Sequence, residues 1–469
     1  MALRDIAIVF DCGATNVRVI AIDRQGSVIA SASEANSTRP DPYNPMYCIW
    51  DAEEIWMKMC KGSVIVTSRL PVERIAGVTV TTFGVDGTLF DDDGRMLYPV
   101  ISWQCTRTDP VMKEIKKHMP PDELYEITGV YPFPFNTIYK LIWLRENHPE
   151  LIERASRFLF LPAVFSYYLS GTGSNDVTMA GTSGLTDRTT RGWSYRILDS
   201  INIPHDLLSD PVEPGTVTGT VSVTAASLTG LPAGIPVVAT GHDTQYALIG
   251  SGAGINVPVL SSGTWEVLMV RSPSCTSGPE QMKTSITTEL DSIPGIFDIG
   301  NQWIGSGLIE WVRRKYFSDC STNVYEVMMR EASGAPESCN GVKVTPDYSR
   351  NDLEGLIYGV TSRTTRGDIC RATLGALSER LREGREKIEK AGHFNASEII
   401  CVGGGSRNRL WNQMRADAAG VTLRAADISE ATAIGASLFV QQAAGNASTP
   451  EEALPDDLIK YVDYHPGKE

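Results

Sequence analysis

The stretch "IVFDCGATNVRVIAID", residues 8–23, decides the fold. An apolar run stops at Asp11, passes through a short turn that contains Gly13, and then becomes apolar again. This pattern predicts a hairpin of two buried strands, residues 6–11 and 16–23. Glycine at the tip of such a hairpin lets a ligand approach the backbone, and the amides of a tight turn bind anions.

The composition is that of a globular protein with more than one domain. The chain has 469 residues, of which 42% are hydrophobic and 21% charged, and a chain of this length exceeds one ordinary core. The net charge of −14 disfavours a nucleic-acid partner. The nine cysteines show no CxxC pair, which indicates reduced thiols. With no apolar span or leader pattern, we expect a cytoplasmic enzyme without a membrane partner.

The opening pattern returns in the second half of the chain. The stretch "PVLSSGTWEVLMVRS", residues 258–272, again reads as strand, Gly-Thr turn and strand. Two copies of one pattern, each opening a half of the chain, indicate two related domains. We place the domains at residues 1–245 and 246–469.

Other segments predict alternating strands and helices around these hairpins. Asp51 is the expected N-cap of a helix, and four apolar residues from Leu374 to Ile388 share one helical face. The remaining predictions are strands at 26–33, 75–84 and 398–405, and a helix at 406–420 that Gly420 ends.

The first hairpin tip carries groups that suit a phosphate and a magnesium ion. Asp11 offers a carboxylate for Mg²⁺, Thr15 and Asn16 offer donors, and Arg18 adds positive charge. An ordinary hairpin with a capping aspartate is the alternative interpretation. Ser262-Gly263-Thr264 is the matching turn in the second half, and a plain turn is the alternative there too.

Two further stretches carry candidate chemistry. "CVGGGSRN", residues 401–408, brings three glycines between a strand and a helix, where a flat ring can lie on the backbone. It has neither a Rossmann nor a P-loop spacing, and a simple strand-to-helix turn is the alternative. In "GHDTQ", residues 241–245, Asp243 follows an apolar strand and suits a general base. A helix-capping role for Asp243 and a structural role for His242 are the alternatives.

These four stretches, in this order, resemble the FGGY family of carbohydrate kinases, within the actin-like ATPase superfamily. The resemblance covers essentially the whole chain. It implies an α/β fold with two actin-like, RNase H-like domains and an interdomain cleft for sugar and for ATP with Mg²⁺. Asp243 is then the expected catalytic base, and Asp11 and Asp243 are the expected metal ligands. The expected ATP contacts are Asp11, Gly13, Thr15, Asn16, Arg18, Gly263, Thr264, Gly404 and Asn408.

The resemblance also bears on the substrate. Glycerol kinases carry an Arg-Glu pair where this chain has Gly84 and Val85, followed by Asp86. That difference argues against glycerol, and Gly-Val-Asp is similar to the members that phosphorylate deoxy-ketohexoses, fuculose ahead of rhamnulose. Aromatic residues suit the apolar patches of a sugar and its 6-methyl group. The expected substrate contacts are Gly84, Asp86, Arg107, Phe135, Asn136, His242, Thr244 and Gln302.

One departure and two rival functions remain open. Many members carry Gln and Gly in the helix after the second turn, where this chain has Ser306 and Glu310. One rival function is a kinase of the same family for rhamnulose or another ketose. The other is an actin-like ATP-binding sensor, which would not need Asp243 as a base. The expected partners are a small sugar and ATP, and the sequence leaves homo-oligomerisation open.

Overall fold

The computed structural model describes residues 4–320, 322–348 and 350–467. By their contacts these residues form two compact units. The first unit comprises the chain up to Gly252 with Thr276–Asp298 and Glu430–Leu458, and the second comprises Ala253–Cys275, Ile299–Ser429 and the chain from Ile459. The domain boundary between residues 245 and 246 stays a prediction, because contact units are not independently folding domains.

The strands are short and numerous. In chain order they are β1 (Ile6–Cys12), β2 (Asn16–Ile22), β3 (Val28–Ala35), β4 (Arg39–Pro40), β5 (Cys48–Trp50), β6 (Ile75–Thr82), β7 (Gly87–Phe90), β8 (Val100–Ile101), β9 (Arg157–Phe160), β10 (Thr186–Asp187), β11 (Gly192–Trp193), β12 (Val217–Thr220), β13 (Pro236–Val238), β14 (Val259–Ser262), β15 (Trp265–Ser272), β16 (Thr287–Leu290), β17 (Phe297–Ile304), β18 (Lys343–Val344), β19 (Ile357–Tyr358), β20 (Glu398–Val402), β21 (Thr422–Ala426) and β22 (Tyr461–Tyr464).

The helices fall mostly between strands of the two units. In chain order they are α1 (Ala52–Thr67), α2 (Asp109–Lys113), α3 (Pro121–Thr128), α4 (Thr137–Asn147), α5 (Pro149–Arg154), α6 (Leu161–Ser170), α7 (Val177–Thr182), α8 (Tyr195–Ser200), α9 (Val223–Thr229), α10 (Asp243–Gly250), α11 (Pro279–Lys283), α12 (Ser306–Tyr316), α13 (Val324–Gly334), α14 (Arg366–Gly392), α15 (Arg409–Ala419) and α16 (Ala431–Ala443).

The first unit is built on a mixed sheet with the strand order β12-β13-β6-β1-β2-β3. β1 pairs antiparallel with β2, which forms the first hairpin, and parallel with β6. All seven residues of β1 are buried, as expected of a strand whose two faces are both covered. The sequence pattern of residues 8–23 therefore marks the centre of this sheet.

The second unit repeats this arrangement. Six neighbouring strands of its seven-stranded sheet have the order β17-β15-β14-β20-β21-β22. β14 and β15 form the second hairpin, β20 and β21 follow in parallel, and β22 closes the edge antiparallel. In the first unit β6 and β13 likewise follow in parallel and β12 closes antiparallel. The predicted internal repeat is confirmed.

Local signals placed most elements correctly. The Asp51 side chain accepts a hydrogen bond from the amide of Glu54 and caps α1, and α14 contains the predicted apolar face. Several boundaries differ: β6 ends at Thr82 instead of residue 84, β20 ends at Val402 instead of residue 405, and two starting points are shifted for a clear physical reason. β3 begins at Val28 instead of residue 26, because Gly26 has φ +74° in a turn that Asp23 holds. α15 begins at Arg409 instead of residue 406, because Asn408 caps it after a 3₁₀ turn.

Over the ranges that the structure describes, every helix is too short or too polar to cross a lipid bilayer.

Candidate functional site

At the end of β1, several acidic side chains surround the guanidinium of Arg18, which lies on the neighbouring strand β2. Asp11 and Arg18 face each other across the first hairpin, and the Arg18 guanidinium binds the Asp11 carboxylate. Its other amino group lies 2.6 Å from Oε2 of Glu430, the residue that precedes α16. The charge of Asp243 also acts on Arg18. We call Asp11, Arg18, Asp243 and Glu430 the acidic cluster.

Sequence reasoning missed Glu430. It stands 412 positions from Arg18, and the only local signal is an acid directly before an apolar helix. Tertiary packing of α10 on α16 is what places Glu430 near Arg18. A side chain at Gly435 would lie 1.9 Å from the backbone oxygen of Tyr246, so glycine lets the two helices touch backbone to backbone. This contact holds the start of α16 in the first unit, where Glu430 reaches Arg18.

Burial shifts the acids of this cluster toward their neutral forms. Burial raises the pKa of Asp11 and the pKa of Glu430. In both cases the positive charge of Arg18 opposes the rise. Burial also raises the pKa of Asp243 to about 6; His242 opposes the rise, and the charge of Asp11 adds to it. A carboxyl that titrates near neutral pH is suited to accept a proton in a reaction.

The acidic cluster fits a magnesium ion. In the described parts of the chain, no three His, Cys, Asp or Glu side chains come together as a metal site. Mg²⁺, however, is usually held by one or two carboxylates, with water and substrate phosphates as the other ligands. The repulsion between Asp11 and Asp243 is the kind of negative potential that such an ion relieves.

The tip of the first hairpin presents two polar side chains to solvent. Thr15 and Asn16 are exposed, and the Asn16 amide nitrogen donates to the Thr15 hydroxyl at 3.2 Å. The Gly13 amide donates to the Asn16 carbonyl at 2.9 Å, so this amide is already used within the turn. Asn36, which sequence reasoning missed, donates its side-chain amide to the Gly13 carbonyl at 2.9 Å. The turn is thus held by the residue that follows β3.

Asp243 and His242 form a second polar group with Glu289. Asp243 is the first residue of α10 and His242 occupies the N-cap without a side-chain cap bond, so the capping alternative for Asp243 does not describe this helix. Nδ1 of His242 lies 3.3 Å from Glu289 Oε2, and Nε2 lies 3.6 Å from Asp243 Oδ1. Burial disfavours the charged imidazole, but Glu289 and Asp243 outweigh it and raise the pKa of His242. The Thr244 hydroxyl donates to Asp243 at 3.2 Å.

Gly84 lies beside this group. A side chain at Gly84 would approach Cδ2 and Nε2 of His242 to 3.2 Å. The structure therefore brings three of the predicted sugar contacts near the expected base within the first unit, since His242 and Thr244 adjoin Asp243 and Gly84 packs against His242. Their roles stay predictions.

Asp86 and Arg107 are occupied by the chain itself. The Asp86 carboxylate is fully buried, binds the Lys140 ammonium, and accepts from Trp50 Nε1 at 2.7 Å and the Trp103 amide at 3.0 Å. The Arg107 side chain has no exposed surface; it binds Asp41 at 2.6 Å. The structure gives both side chains structural partners and offers neither to a ligand, which does not support their prediction as sugar contacts.

The other predicted sugar contacts differ in their surroundings. Asn136 is buried, and its amide accepts from the Phe133 amide and donates to the Thr182 carbonyl. Phe135 is half-buried and stacks on Phe133, with ring centroids 4.9 Å apart. Gln302 lies half-buried on β17 in the second unit, whereas the remaining predicted sugar contacts lie in the first. The Trp103 ring also packs edge-on against Phe135, with ring centroids 6.3 Å apart.

The second unit contains a large pocket at the tip of the second hairpin. Its volume is about 1020 Å³, which suits a ligand of nucleotide size. Gly263, Thr264, Gly404 and Asn408 all line it. The structure thus brings together in one pocket the four predicted ATP contacts that lie in this half, although the Asn408 side chain also caps α15.

The charge around this pocket suits phosphate. Four arginines and two glutamates line it, namely Arg314, Arg330, Arg407, Arg409, Glu310 and Glu326. Ser306 and Glu310 are lining residues although they depart from the residues expected there. Arg313 binds the Glu310 carboxylate through both oxygens and lowers its pKa. The start of α12 therefore belongs to the pocket wall.

Comparison with known proteins supports a single family over the chain. Residues 6–250 match the model of the FGGY family of carbohydrate kinases, N-terminal domain, and residues 259–444 match its C-terminal domain. The L-fuculokinase of Escherichia coli (strain K12) is 42% identical over 466 residues, covering 99% of this chain and 98% of that protein. A rhamnulokinase of Bacteroides thetaiotaomicron is 29% identical, covering 89% and 87%.

The fold has close relatives among solved structures. The crystal structure of xylulose kinase from Rhodospirillum rubrum matches with a TM-score of 0.87 at 20% identity, covering 99% of this chain and 94% of that one. At this identity the match speaks for the fold alone. The predicted α/β fold of two actin-like domains is confirmed.

Proposed function

The chain belongs to the FGGY family of carbohydrate kinases, and we propose that it transfers the γ-phosphoryl group of ATP to the primary hydroxyl of L-fuculose. The observation that carries the proposal of a kinase is Asp243, a carboxyl with a pKa of about 6 beside a second acid and an arginine. A sensor that only binds ATP has no need of a base so placed.

The choice of L-fuculose rests on similarity along the whole chain. The L-fuculokinase of E. coli is 42% identical over 99% of the chain, whereas the rhamnulokinase of B. thetaiotaomicron is 29% identical. The Gly84-Val85-Asp86 stretch resembles that of family members that phosphorylate deoxy-ketohexoses and differs from the Arg-Glu pair of glycerol kinases. Phe135 is a half-buried aromatic residue within a group of three rings, and aromatic residues suit the methyl group of a 6-deoxy sugar.

In the proposed reaction Asp243 takes the proton of the sugar hydroxyl. The hydroxyl oxygen forms a bond to the γ-phosphorus while the bond between that phosphorus and the bridging oxygen of ADP breaks, so the products are the sugar 1-phosphate and ADP. His242 lies 3.6 Å from Asp243 and Thr244 donates to it, and both hold the carboxylate in place.

Magnesium and the second unit supply the remaining functions in this proposal. Asp11, with Asp243, would hold Mg²⁺ directly or through water, and the ion neutralises charge that develops on the phosphoryl oxygens. Arg18, Thr15 and Asn16 would hold phosphate from the first hairpin. Gly263 and Thr264 would do so from the second, and Gly404 and Asn408 would hold the adenosine.

A panel of acceptors tests the proposal. The kcat/KM of the full-length protein is measured for L-fuculose, L-rhamnulose, D-ribulose, D-xylulose and glycerol at one concentration of ATP and Mg²⁺, and the ester position is read by phosphorus NMR. We expect L-fuculose to exceed every other acceptor by about tenfold or more, which is a difference of about 1.4 kcal/mol. A higher value for L-rhamnulose would make the chain a rhamnulokinase. ATP binding without transfer to any acceptor would favour the sensor.

A further inference from the structure

A sealed charge pair lies below the tip of the second hairpin. Glu266 and Arg415 form an ion pair in which neither side chain has exposed surface. The Ser262 hydroxyl donates to Glu266 at 2.8 Å and accepts from Arg415 at 2.7 Å. Trp303 Nε1 donates to the other carboxylate oxygen at 2.8 Å. Both oxygens of this buried acid are therefore satisfied by partners from three separate elements.

This pair fixes the hairpin tip from below. Ser262 and Glu266 are paired across β14 and β15, so the tip between them consists of Gly263, Thr264 and Trp265. The carbonyls of the tip accept bonds from the start of α12. Gly305 donates to the Thr264 carbonyl at 2.9 Å and Ser306 donates to the Gly263 carbonyl at 3.1 Å.

The same pair reaches the glycine loop of the pocket. Arg415 Nη1 donates to Asn412 at 3.3 Å, and the Asn412 amide donates to the Ser406 carbonyl at 2.6 Å. The loop also packs directly on Ser262, since a side chain at Gly405 would lie 2.0 Å from the Ser262 hydroxyl. Gly403, with φ +86°, turns the chain at this contact.

We propose that Glu266 and Arg415 are positioning residues that hold three walls of the pocket at the spacing a nucleotide requires. The walls are the tip at residues 263–264, the start of α12 at 305–307 and the loop at 403–408. A hydrogen-bonded ion pair fixes distance and direction, which an apolar contact of equal volume does not. The inference deepens the proposed function, because it takes ATP as the ligand of this pocket.

Stability alone does not account for such a pair. Replacing a buried ion pair by well-packed neutral residues is often neutral or stabilising. If the pair has a purely structural role, a neutral replacement should change neither the stability of the protein nor its affinity for the ligand. If the pair positions the pocket, the replacement should leave the stability unchanged and lower the affinity for the ligand.

The test is a double variant, Glu266→Gln with Arg415→Met. Glutamine can still accept from Trp303 and donate to Ser262, while methionine fills space without charge. The full-length protein is compared with wild type by thermal melting, by calorimetric titration with ATP and Mg²⁺ in the absence of sugar, and by the KM for each substrate. We expect melting close to wild type, an ATP dissociation constant raised about 10–100-fold, and a sugar KM within about twofold.

A matched control is Arg424→Gln. Arg424 lies on β21 of the same sheet and binds Glu398 at 3.4 Å and Asp463 at 3.3 Å, and none of these three lines the pocket. It should leave ATP affinity unchanged. If the double variant does not fold, Arg415→Lys, which keeps the charge and loses the fork of donors, takes its place and should also weaken ATP binding.

An ATP dissociation constant within about twofold of wild type in a folded variant would overturn the inference. Failure of the proposed function would give a different result. The wild type would then bind ATP but phosphorylate none of the sugars, and the ATP titrations would still compare the variants. Wild type that binds no ATP would contradict both proposals.

Discussion

The two hairpins that open the two halves share a backbone design and differ in how they treat charge. Each has a glycine whose amide donates back across the turn, from Gly13 to Asn16 at 2.9 Å and from Gly263 to Trp265 at 3.1 Å. Each has a charge pair just below the tip. In the first hairpin the arginine is one-third exposed, and in the second neither member has any exposed surface.

This difference teaches how one repeated fold unit can serve two purposes. A partly exposed arginine such as Arg18 can exchange a carboxylate partner for a ligand, because solvent reaches its side chain. The buried pair of Glu266 and Arg415 cannot be reached, so it can only hold its surroundings in place. We therefore propose that the first unit carries the phosphoryl chemistry and that the second positions the nucleotide, and the following four predictions test this proposal.

The largest effect is expected for Asp243→Asn, which removes the proposed base of the first unit. A positioned base contributes about 10²–10⁴-fold, or about 3–5.5 kcal/mol, so kcat should fall by that factor. The affinities for ATP and sugar should persist. Coupled ADP release with L-fuculose measures the rate, and turnover within about threefold of wild type would remove Asp243 from this role.

Thermal melting of the same variant separates chemistry from folding. The folded state raises the pKa of Asp243 to about 6, so the fold favours the neutral carboxyl. Its stabilising effect is complete below the unfolded pKa and is lost as the pH rises through about 6. At pH 8 the neutral asparagine should therefore melt no lower than wild type. Asp91→Asn, in a loop of the same unit, is the control and should keep its activity.

The next largest effect is expected for Thr264→Val at the tip of the second hairpin. The change keeps the shape and removes a hydroxyl that would bind phosphate, which costs about 1–3 kcal/mol of transition-state stabilisation. The kcat/KM for ATP should fall, and sugar affinity without nucleotide should hardly change. A sugar dissociation constant raised about tenfold with intact ATP kinetics would reverse the assignment of the two hairpins.

A smaller effect, on KM alone, is expected for Gly404→Val. A side chain at Gly404 meets no atom within 4 Å, so the variant should fold, and its bulk would stand in the pocket. The KM for ATP should rise about tenfold while sugar binding stays. Gly254→Val is a matched control, since its side chain also points into open space outside the pocket. Wild-type ATP kinetics in folded Gly404→Val would exclude this loop from the site.

The smallest expected effect is the dependence of the rate on pH. Asp243 must be deprotonated to act as a base, and its pKa is about 6. The kcat/KM for the sugar should therefore fall about fourfold between pH 7.5 and pH 5.5 as the carboxyl gains a proton. The profile is measured over this range with enzyme stability checked at each pH. A flat profile would show that Asp243 titrates elsewhere or is not the base.

Some of the site followed from sequence and some did not, and the division has a physical basis. Gly263, Thr264, Gly404 and Asn408 were all predicted, because they lie in a hairpin turn and in a strand-to-helix loop that the local apolar pattern marks, and the structure brings them into one pocket. Glu430, Asn36 and Glu289 were missed. Each contributes through a partner far along the chain, and no spacing in the sequence connects them.

Asp86 and Arg107 are predicted sugar contacts that the structure shows paired with other side chains, and their role toward a sugar stays a prediction. Both are charged residues near strand ends, where the sequence favours a ligand contact, yet both are sealed against partners such as Lys140 and Asp41. Residue type alone does not distinguish a charge that faces a ligand from one that is paired inside the protein. That distinction depends on packing between segments about 50–70 positions apart.

The sequence by itself determined the two hairpins, the repeat that relates them, the cap of α1 at Asp51, and the family to which these patterns belong. Those features depend on interactions within a few residues, because strand alternation, turn glycines and helix caps act over one turn or one pleat. Only the tertiary structure decided which charges are paired and which are open. Arg18 reaches Glu430, and Arg415 reaches Glu266, across 412 and 149 positions. Burial and charge compensation are properties of the packed chain, so no local pattern could have assigned them.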